Sequence, residues 1–293
     1  MTECLWPLTP YLGTTRPFDL HEYRVNRPRC LLDALLPWKM AREMSLQLAR
    51  RAHIQLLGGF CVSHEGRPDS VLPEGSQRLF SVLALSQAPL TRLGLSGVLW
   101  PESTEDHAYS CLRSALARLT AENRDAMAVG QRNLGLAHDV SVDVRDWQDM
   151  AGRLLSPDVP NSECDLSAAA IEAFSLDLLP GWYEDWVMIA GEKWRQLRMH
   201  ALEAIADRLA RDGRYGEALI AALSAVAAEP LRESAHCLLI RLHLAEGNQS
   251  EALKTSERYR ALIRRELGLE PTARITRLVA DLQPSDPLAT AAA

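Results

Sequence analysis

The chain of 293 residues lacks any apolar run that approaches the roughly 20 residues of a membrane-spanning helix. Its first ten residues lack the basic start and apolar core of a secretory signal. Its 6 cysteines are scattered and form no C-x-x-C pair, which argues against a disulfide framework or a zinc site. The sequence therefore predicts a cytoplasmic protein with reduced cysteines and no membrane partner.

Catalytic and metal-binding motifs are also missing. The sequence contains no P-loop, no G-x-S-x-G and no H-E-x-x-H. His236 and His243 fall on one predicted helix without a third ligand nearby, so we interpret them as structural histidines. Asp143, Asp146 and Asp149 precede no calcium-loop glycine and predict a solvated helix face. We expect no enzyme activity, no cofactor and no metal.

Lysine is nearly absent, with 3 residues against 29 arginines, and charge is unevenly distributed. Residues 141–293 carry 17 basic and 24 acidic side chains, a net charge of −7. Residues 1–140 carry 15 and 14, a net charge of +1. An acidic C-terminal half repels DNA and is typical of a domain that binds protein.

The C-terminal half contains one short pattern twice, 34 residues apart. An acidic residue followed by glycine occurs at 212–213 and 246–247, and Glu-Ala-Leu occurs at 217–219 and 251–253. This period is typical of stacked helical hairpins of the tetratricopeptide type, with Gly213 and Gly247 at turns and Ala218 and Ala252 where helices cross. Such repeats provide binding surfaces.

The residues after Val142 predict helices throughout. The predicted helices are 144–155, 165–175, 183–211, 215–228, 231–245, 249–267 and 272–282. Pro230 is expected to start a helix. Four aromatic residues are interpreted as core anchors between helices: Trp182, Tyr183, Trp186 and Trp194.

The first half predicts a small sheet and three helices. Residues 53–62 are rich in strand formers and broken by Gly58-Gly59. Residues 64–67 predict a turn, and Val71-Leu72 a short returning strand. A helix follows up to Pro89, and Thr91 is expected to cap a second one.

A third helix is predicted after Ser103 and Asp106, which fit a capping box. Its apolar stripe consists of Ala108, Leu112, Ala115, Leu116 and Leu119. Two short strands, 126–129 and 134–138, follow as a hairpin. This order of elements is that of a winged helix.

The outward face of the third helix is the strongest functional candidate, because it is narrow enough to enter a major groove. We predict that DNA contacts come from this face and from the hairpin tip, at His107, Ser110, Arg113, Ser114, Ala117, Arg118 and Arg132. Residues 54–140 nevertheless carry 7 basic and 9 acidic side chains, a net charge of −2. An amphipathic surface helix with solvated arginines remains the alternative.

Several segments resemble the Streptomyces antibiotic regulatory proteins. Residues 112–119, Leu-Arg-Ser-Ala-Leu-Ala-Arg-Leu, resemble the recognition helix of that family, and residues 93–100 its preceding helix. The segments 179–187, 214–218, 229–233 and 266–271 resemble the bacterial transcriptional activation domain. The resemblance covers residues 53–283.

The resemblance implies an activator that binds direct repeats near promoters, acts as a homodimer there, and recruits RNA polymerase for secondary-metabolite genes. We expect a mainly α protein with a small β component. It comprises an irregular extension (1–52), a winged helix-turn-helix domain (53–141), a tetratricopeptide-like helical-repeat domain (142–283) and a tail (284–293). The alternative is a protein-interaction scaffold whose winged helix has lost DNA binding and whose repeats bind a protein or a small ligand.

Overall fold

The computed structural model describes residues 52–68, 71–156 and 162–282. The predicted N-terminal extension, apart from Ala52, and the predicted tail lie outside the described residues. The described chain is mainly helical with two small sheets, which confirms the predicted fold class.

The first sheet contains β1 (Ala52–Gln55), β2 (Cys61–His64), β3 (Arg67–Pro68) and β7 (Val140–Val142), in the order β3-β2-β1-β7. The first three strands are antiparallel, whereas β7 runs parallel to β1. The prediction of a returning strand at Val71-Leu72 was wrong. Because Glu65 and Gly66 adopt positive φ angles, the chain turns directly after β2 and pairs at residues 67–68, which leaves Val71 exposed.

Three helices follow: α1 (Glu74–Leu85), α2 (Arg92–Leu99) and α3 (Glu105–Ala117). The Thr91 hydroxyl accepts a bond from the Gly94 N–H, which confirms the predicted cap of α2. The predicted capping box of α3 was wrong. The N-cap of α3 is Thr104, whose side chain makes no capping bond, and Ser103 lies one residue too early to reach the first turn.

The second sheet forms the wing. A short helix, α4 (Ala121–Asp125), leads into β5 (Met127–Val129) and β6 (Asn133–Leu136), which pair as the predicted hairpin. β4 (Leu90–Thr91), which the sequence did not predict, pairs with β6 on its other edge. The wing is thereby attached to the residues that begin α2.

The C-terminal half is helical as predicted. Its helices are α5 (Asp143–Leu155), α6 (Ala168–Ser175), α7 (Asp185–Arg211), α8 (Tyr215–Ala228), α9 (Glu233–Ala245), α10 (Gln249–Leu267) and α11 (Ala273–Val279). The predicted helix at 165–175 is interrupted, because Ser167 caps α6 and separates it from a 3-10 turn at Glu163–Leu166. Pro230 lies in the turn before α9 and does not start that helix.

The two repeats match bond for bond at their turns. The Gly213 N–H donates to the Ala210 carbonyl and the Arg214 N–H to the Leu209 carbonyl. Thirty-four residues later, Gly247 and Asn248 donate in the same way to the carbonyls of residues 244 and 243. Both glycines have positive φ angles, of 75° and 79°, which explains why glycine recurs there.

Aromatic residues fix α7 on its neighbours. The Trp194 side chain is fully buried against Phe174, and its Nε1–H donates to the Leu176 carbonyl at 2.9 Å. Trp182 and Trp186 are partly buried and contact each other edge to face. The interpretation of Tyr183 as a core anchor was wrong, because its side chain is 82% exposed. It lies one residue ahead of Glu184, the N-cap of α7.

Candidate nucleic-acid interface

α3 buries its predicted apolar stripe against α1 and α2. Ala108, Leu112 and Ala115 are buried, and so is Leu119 just beyond the end of the helix. Residues three and four apart share one face of a helix, so burial of this stripe turns the opposite side of α3 toward solvent.

That opposite side contains the six residues predicted on this helix. His107, Arg113, Ser114, Ala117 and Arg118 are exposed, and Ser110 is half-buried. The Ser114 hydroxyl donates to the Ser110 carbonyl at 3.0 Å, so it lies close to the helix and adds little width. A slim face of this kind fits a major groove.

The arginines of this face make no ion pair within the described ranges 52–68, 71–156 and 162–282. This holds for Arg113, Arg118 and the predicted wing residue Arg132, which is also exposed. Other arginines of the same domain are engaged: Arg78 pairs with two glutamates, and Arg124 donates to the Leu119 carbonyl. The guanidinium groups of the candidate site therefore remain available for a ligand.

The wing stands beside the start of α2. The Arg92 N–H donates to the Arg132 carbonyl at 2.9 Å, which fixes the tip of the wing. Sequence reasoning missed Arg92, a half-buried arginine at this junction. The feature that places Arg92 there is the pairing of Leu90-Thr91 with the wing strand, and this pairing joins residues 44 and 42 positions apart, which no local pattern shows.

Acidic residues lie at the opposite end of α3 from the arginines. Glu102, Glu105 and Asp106 are exposed around the first turn, where they interact favourably with the helix dipole. Arg113 lies in the second half of the helix and Arg118 caps its C-terminus. The positive part of the face is therefore its C-terminal half together with the wing.

A buried carboxylate joins this domain to the helical half. Asp143, the first residue of α5, accepts bonds of 2.9–3.0 Å from the Leu56 and Leu57 N–H groups and one of 2.6 Å from the Val144 N–H. Burial raises the pKa of Asp143 to about 6, although the three N–H donors act in the opposite direction. The predicted solvated face at Asp143 was therefore wrong, because the carboxylate serves backbone groups 86 and 87 residues away.

Arg145 makes the second connection at this junction. Its guanidinium donates to the carbonyls of Leu83, Ala84 and Ser86 at the C-terminal end of α1. Leu57, whose N–H donates to Asp143, also forms a β-bridge with Leu178. The winged helix is thus held to the helical half by backbone and charged contacts and shares one hydrophobic core with it.

Of the two histidines considered as ligands, His236 packs against a neighbouring helix. His236 is buried against Tyr259, with ring centroids 4.4 Å apart, and its Nε2 contacts the Pro230 carbonyl at 2.9 Å. Burial lowers the pKa of His236. Among the described residues there is no cluster of potential metal ligands, and no described helix is long and apolar enough to cross a membrane.

Comparisons with known proteins agree with this architecture. Residues 142–283 match the family described as the bacterial transcriptional activator domain. The chain is 26% identical over 235 residues to the regulatory protein AfsR of Streptomyces coelicolor, and the match covers 75% of this chain but only 23% of AfsR. The fold is similar to that of EmbR of Mycobacterium tuberculosis, solved in complex with a low-affinity phosphopeptide. That match has a TM-score of 0.58 at 19% identity and covers 83% of this chain and 68% of EmbR.

Proposed function

Since this chain is a transcriptional regulator of the Streptomyces antibiotic regulatory protein family, we propose that it binds promoter DNA in a sequence-specific manner and activates transcription. In this proposal α3 enters a major groove, and the wing contacts the neighbouring backbone. Two copies occupy direct repeats, and the helical half recruits RNA polymerase, with secondary-metabolite genes as the targets. The protein acts in the cytoplasm, as regulators of this family do.

The observation that carries the proposal is the outward face of α3. It is exposed, it has small side chains at Ser110, Ser114 and Ala117, and its arginines make no ion pair within the described ranges. Arginine is the side chain best suited to bidentate contacts with guanine and to phosphate contacts.

The fixed junction supports a function in which DNA binding by the winged helix and recruitment by the helical half are coupled. Because Asp143 and Arg145 hold α1 and the first sheet, the orientation of α3 relative to the helical half is set before DNA binds. A partner bound to the helical half would therefore occupy a defined position along the promoter.

A footprint on the promoter region upstream of the gene tests the proposal. The full chain is expected to protect two short direct repeats on one face of the duplex, with an affinity that falls steeply as salt rises. Protection of a single site or of an inverted repeat would correct the arrangement. Equal affinity for unrelated DNA would contradict sequence-specific recognition.

One observation favours a second function, that of a scaffold without DNA binding. Residues 54–140 remain net acidic, with 7 basic and 9 acidic side chains, and Glu102, Glu105 and Asp106 would repel nearby phosphates. A scaffold predicts no DNA affinity at low salt. The activator predicts measurable affinity there, since removal of salt strengthens phosphate contacts.

A further inference from the structure

The outward face of α8 is apolar from end to end. Its solvent-facing positions are Gly216, Ile220, Leu223 and Ala227, at spacings of four, three and four residues, and we call them the α8 stripe. The Ile220 side chain is 57% exposed and that of Leu223 is 53% exposed. Glu217, the one charged residue of α8, pairs with Arg214 at 2.6 Å. The stripe therefore presents aliphatic surface without net charge.

The second repeat provides an internal control for this stripe. Thirty-four residues later, the equivalent positions of α10 are Ser250, Lys254, Glu257 and Ala261, and all four are exposed. The fold thus leaves these positions in solvent in both repeats, and in the second repeat they are mostly polar or charged. Folding therefore does not require isoleucine and leucine at such positions, and their alignment on one face of α8 is the observation from which a binding role is argued.

The size and charge of the stripe indicate what covers it. Two half-exposed aliphatic side chains and two small residues fall well short of the ~800 Å² per partner that a stable dimer needs. A stripe of three helical turns instead matches one helix, bound through aliphatic side chains at i, i+3 or i+4, and i+7. Gly216 leaves open space beside the helix, since a Cβ placed there meets nothing within 4 Å. A partner helix can approach closely at that end.

We propose that the α8 stripe docks a single amphipathic helix of the transcription machinery, with an uncharged aliphatic face turned toward Ile220 and Leu223. This inference rests on the proposed role as an activator and assigns the recruiting surface to the first repeat. The equivalent face of α10, with Lys254 and Glu257, takes no part. The contact lies on the helical half, so its loss leaves DNA binding unchanged.

The test measures binding of the full chain to immobilised RNA polymerase holoenzyme from Streptomyces coelicolor by surface plasmon resonance, without DNA. The principal variant combines Ile220→Lys with Leu223→Glu, which copies residues that the second repeat already accommodates at these positions. The matched control combines Lys254→Glu with Glu257→Lys. We expect the principal variant to bind at least about 10-fold more weakly and the control to stay within about 2-fold of wild type.

Each outcome decides the proposal. Equal affinity of the principal variant and wild type overturns it, and so does a wild-type chain that shows no affinity for the polymerase. The alternative occupant of the stripe is a second copy of this chain, and sedimentation of the free protein tests for it. If the wild type is a dimer and the principal variant a monomer, a second copy covers the stripe and the proposal is wrong. If circular dichroism shows misfolding of the principal variant, Ile220→Gln alone replaces it. A wild type that binds polymerase but not DNA would refute the proposed function and leave the docking site standing.

Discussion

Replacement of Asp143 by alanine tests the junction between the two halves. The change removes the acceptor of three buried backbone N–H groups, those of Leu56, Leu57 and Val144. A buried donor left unsatisfied costs about 1–3 kcal/mol, so the three together cost about 3–9 kcal/mol. The same change relieves the burial of a carboxylate whose pKa is raised from 3.8 to about 6, worth about 3 kcal/mol at neutral pH. Subtraction of the second figure from the first leaves a loss of about 0–6 kcal/mol, and we take the middle of that range, about 3 kcal/mol of unfolding free energy, as the expectation.

Urea denaturation at pH 7 measures this loss, with the midpoint and the slope fitted separately. Asp149→Ala is the matched control, because Asp149 lies on the same helix with its side chain exposed. We expect the control to change the unfolding free energy by less than about 0.5 kcal/mol. An unfolding free energy that is unchanged or higher in Asp143→Ala would refute the reasoning, since it would mean that the three N–H groups find other acceptors at no cost.

Three further predictions concern stability. The folded pKa of Asp143, about 6, lies above its ordinary 3.8, so the folded chain binds this proton more tightly and the contribution of Asp143 increases as pH falls. Compared with Asp143→Asn, wild type is expected to gain about 1 kcal/mol in urea denaturation between pH 7 and pH 5, and a constant difference would contradict the raised pKa. Gly247→Ala should lower the free energy of unfolding by about 1–2 kcal/mol, because alanine is strained at the positive φ of this position. Gly216→Ala in α8 is the control and should not destabilise the protein. Equal effects of the two changes in thermal unfolding would contradict the turn geometry at Gly247. Trp194→Phe should cost about 1–3 kcal/mol, because the Leu176 carbonyl loses its donor, and an unchanged urea midpoint would count against that bond.

Much of the helical half could be predicted from the sequence. The helices at 215–228 and 249–267 have the predicted bounds, because their apolar periodicity is local and each begins directly after a glycine turn. The buried stripe of α3 was also predicted, from the spacing of Ala108, Leu112 and Ala115. In these segments local pattern and tertiary packing favour the same structure.

The remaining features depend on residues far apart in the chain. The parallel pairing of β7 with β1 joins segments 88 residues apart, and no local pattern specifies it. The burial of Asp143 could not be predicted for the same reason. Its spacing with Asp146 and Asp149 is typical of a solvated helix face, and only the fold brings the N–H groups of Leu56 and Leu57 against its carboxylate. At the candidate site, the sequence predicted Arg113 and Arg118, and this assignment stays a prediction. The sequence could not show that both arginines make no ion pair in the described part of the chain.

The most direct test of the central claim is a salt titration of promoter binding by Arg113→Ala and Arg118→Ala, with Arg258→Ala as the control. Arg258 is an exposed arginine of α10, so its loss changes the net charge equally without altering the α3 face. We expect each α3 variant to bind more weakly. A lost phosphate contact lowers the slope of log affinity against log salt by about 0.9, and a lost base contact relaxes specificity at one position. Unchanged affinity and slope in both α3 variants, or an equal loss in Arg258→Ala, would contradict the assignment of this face to DNA.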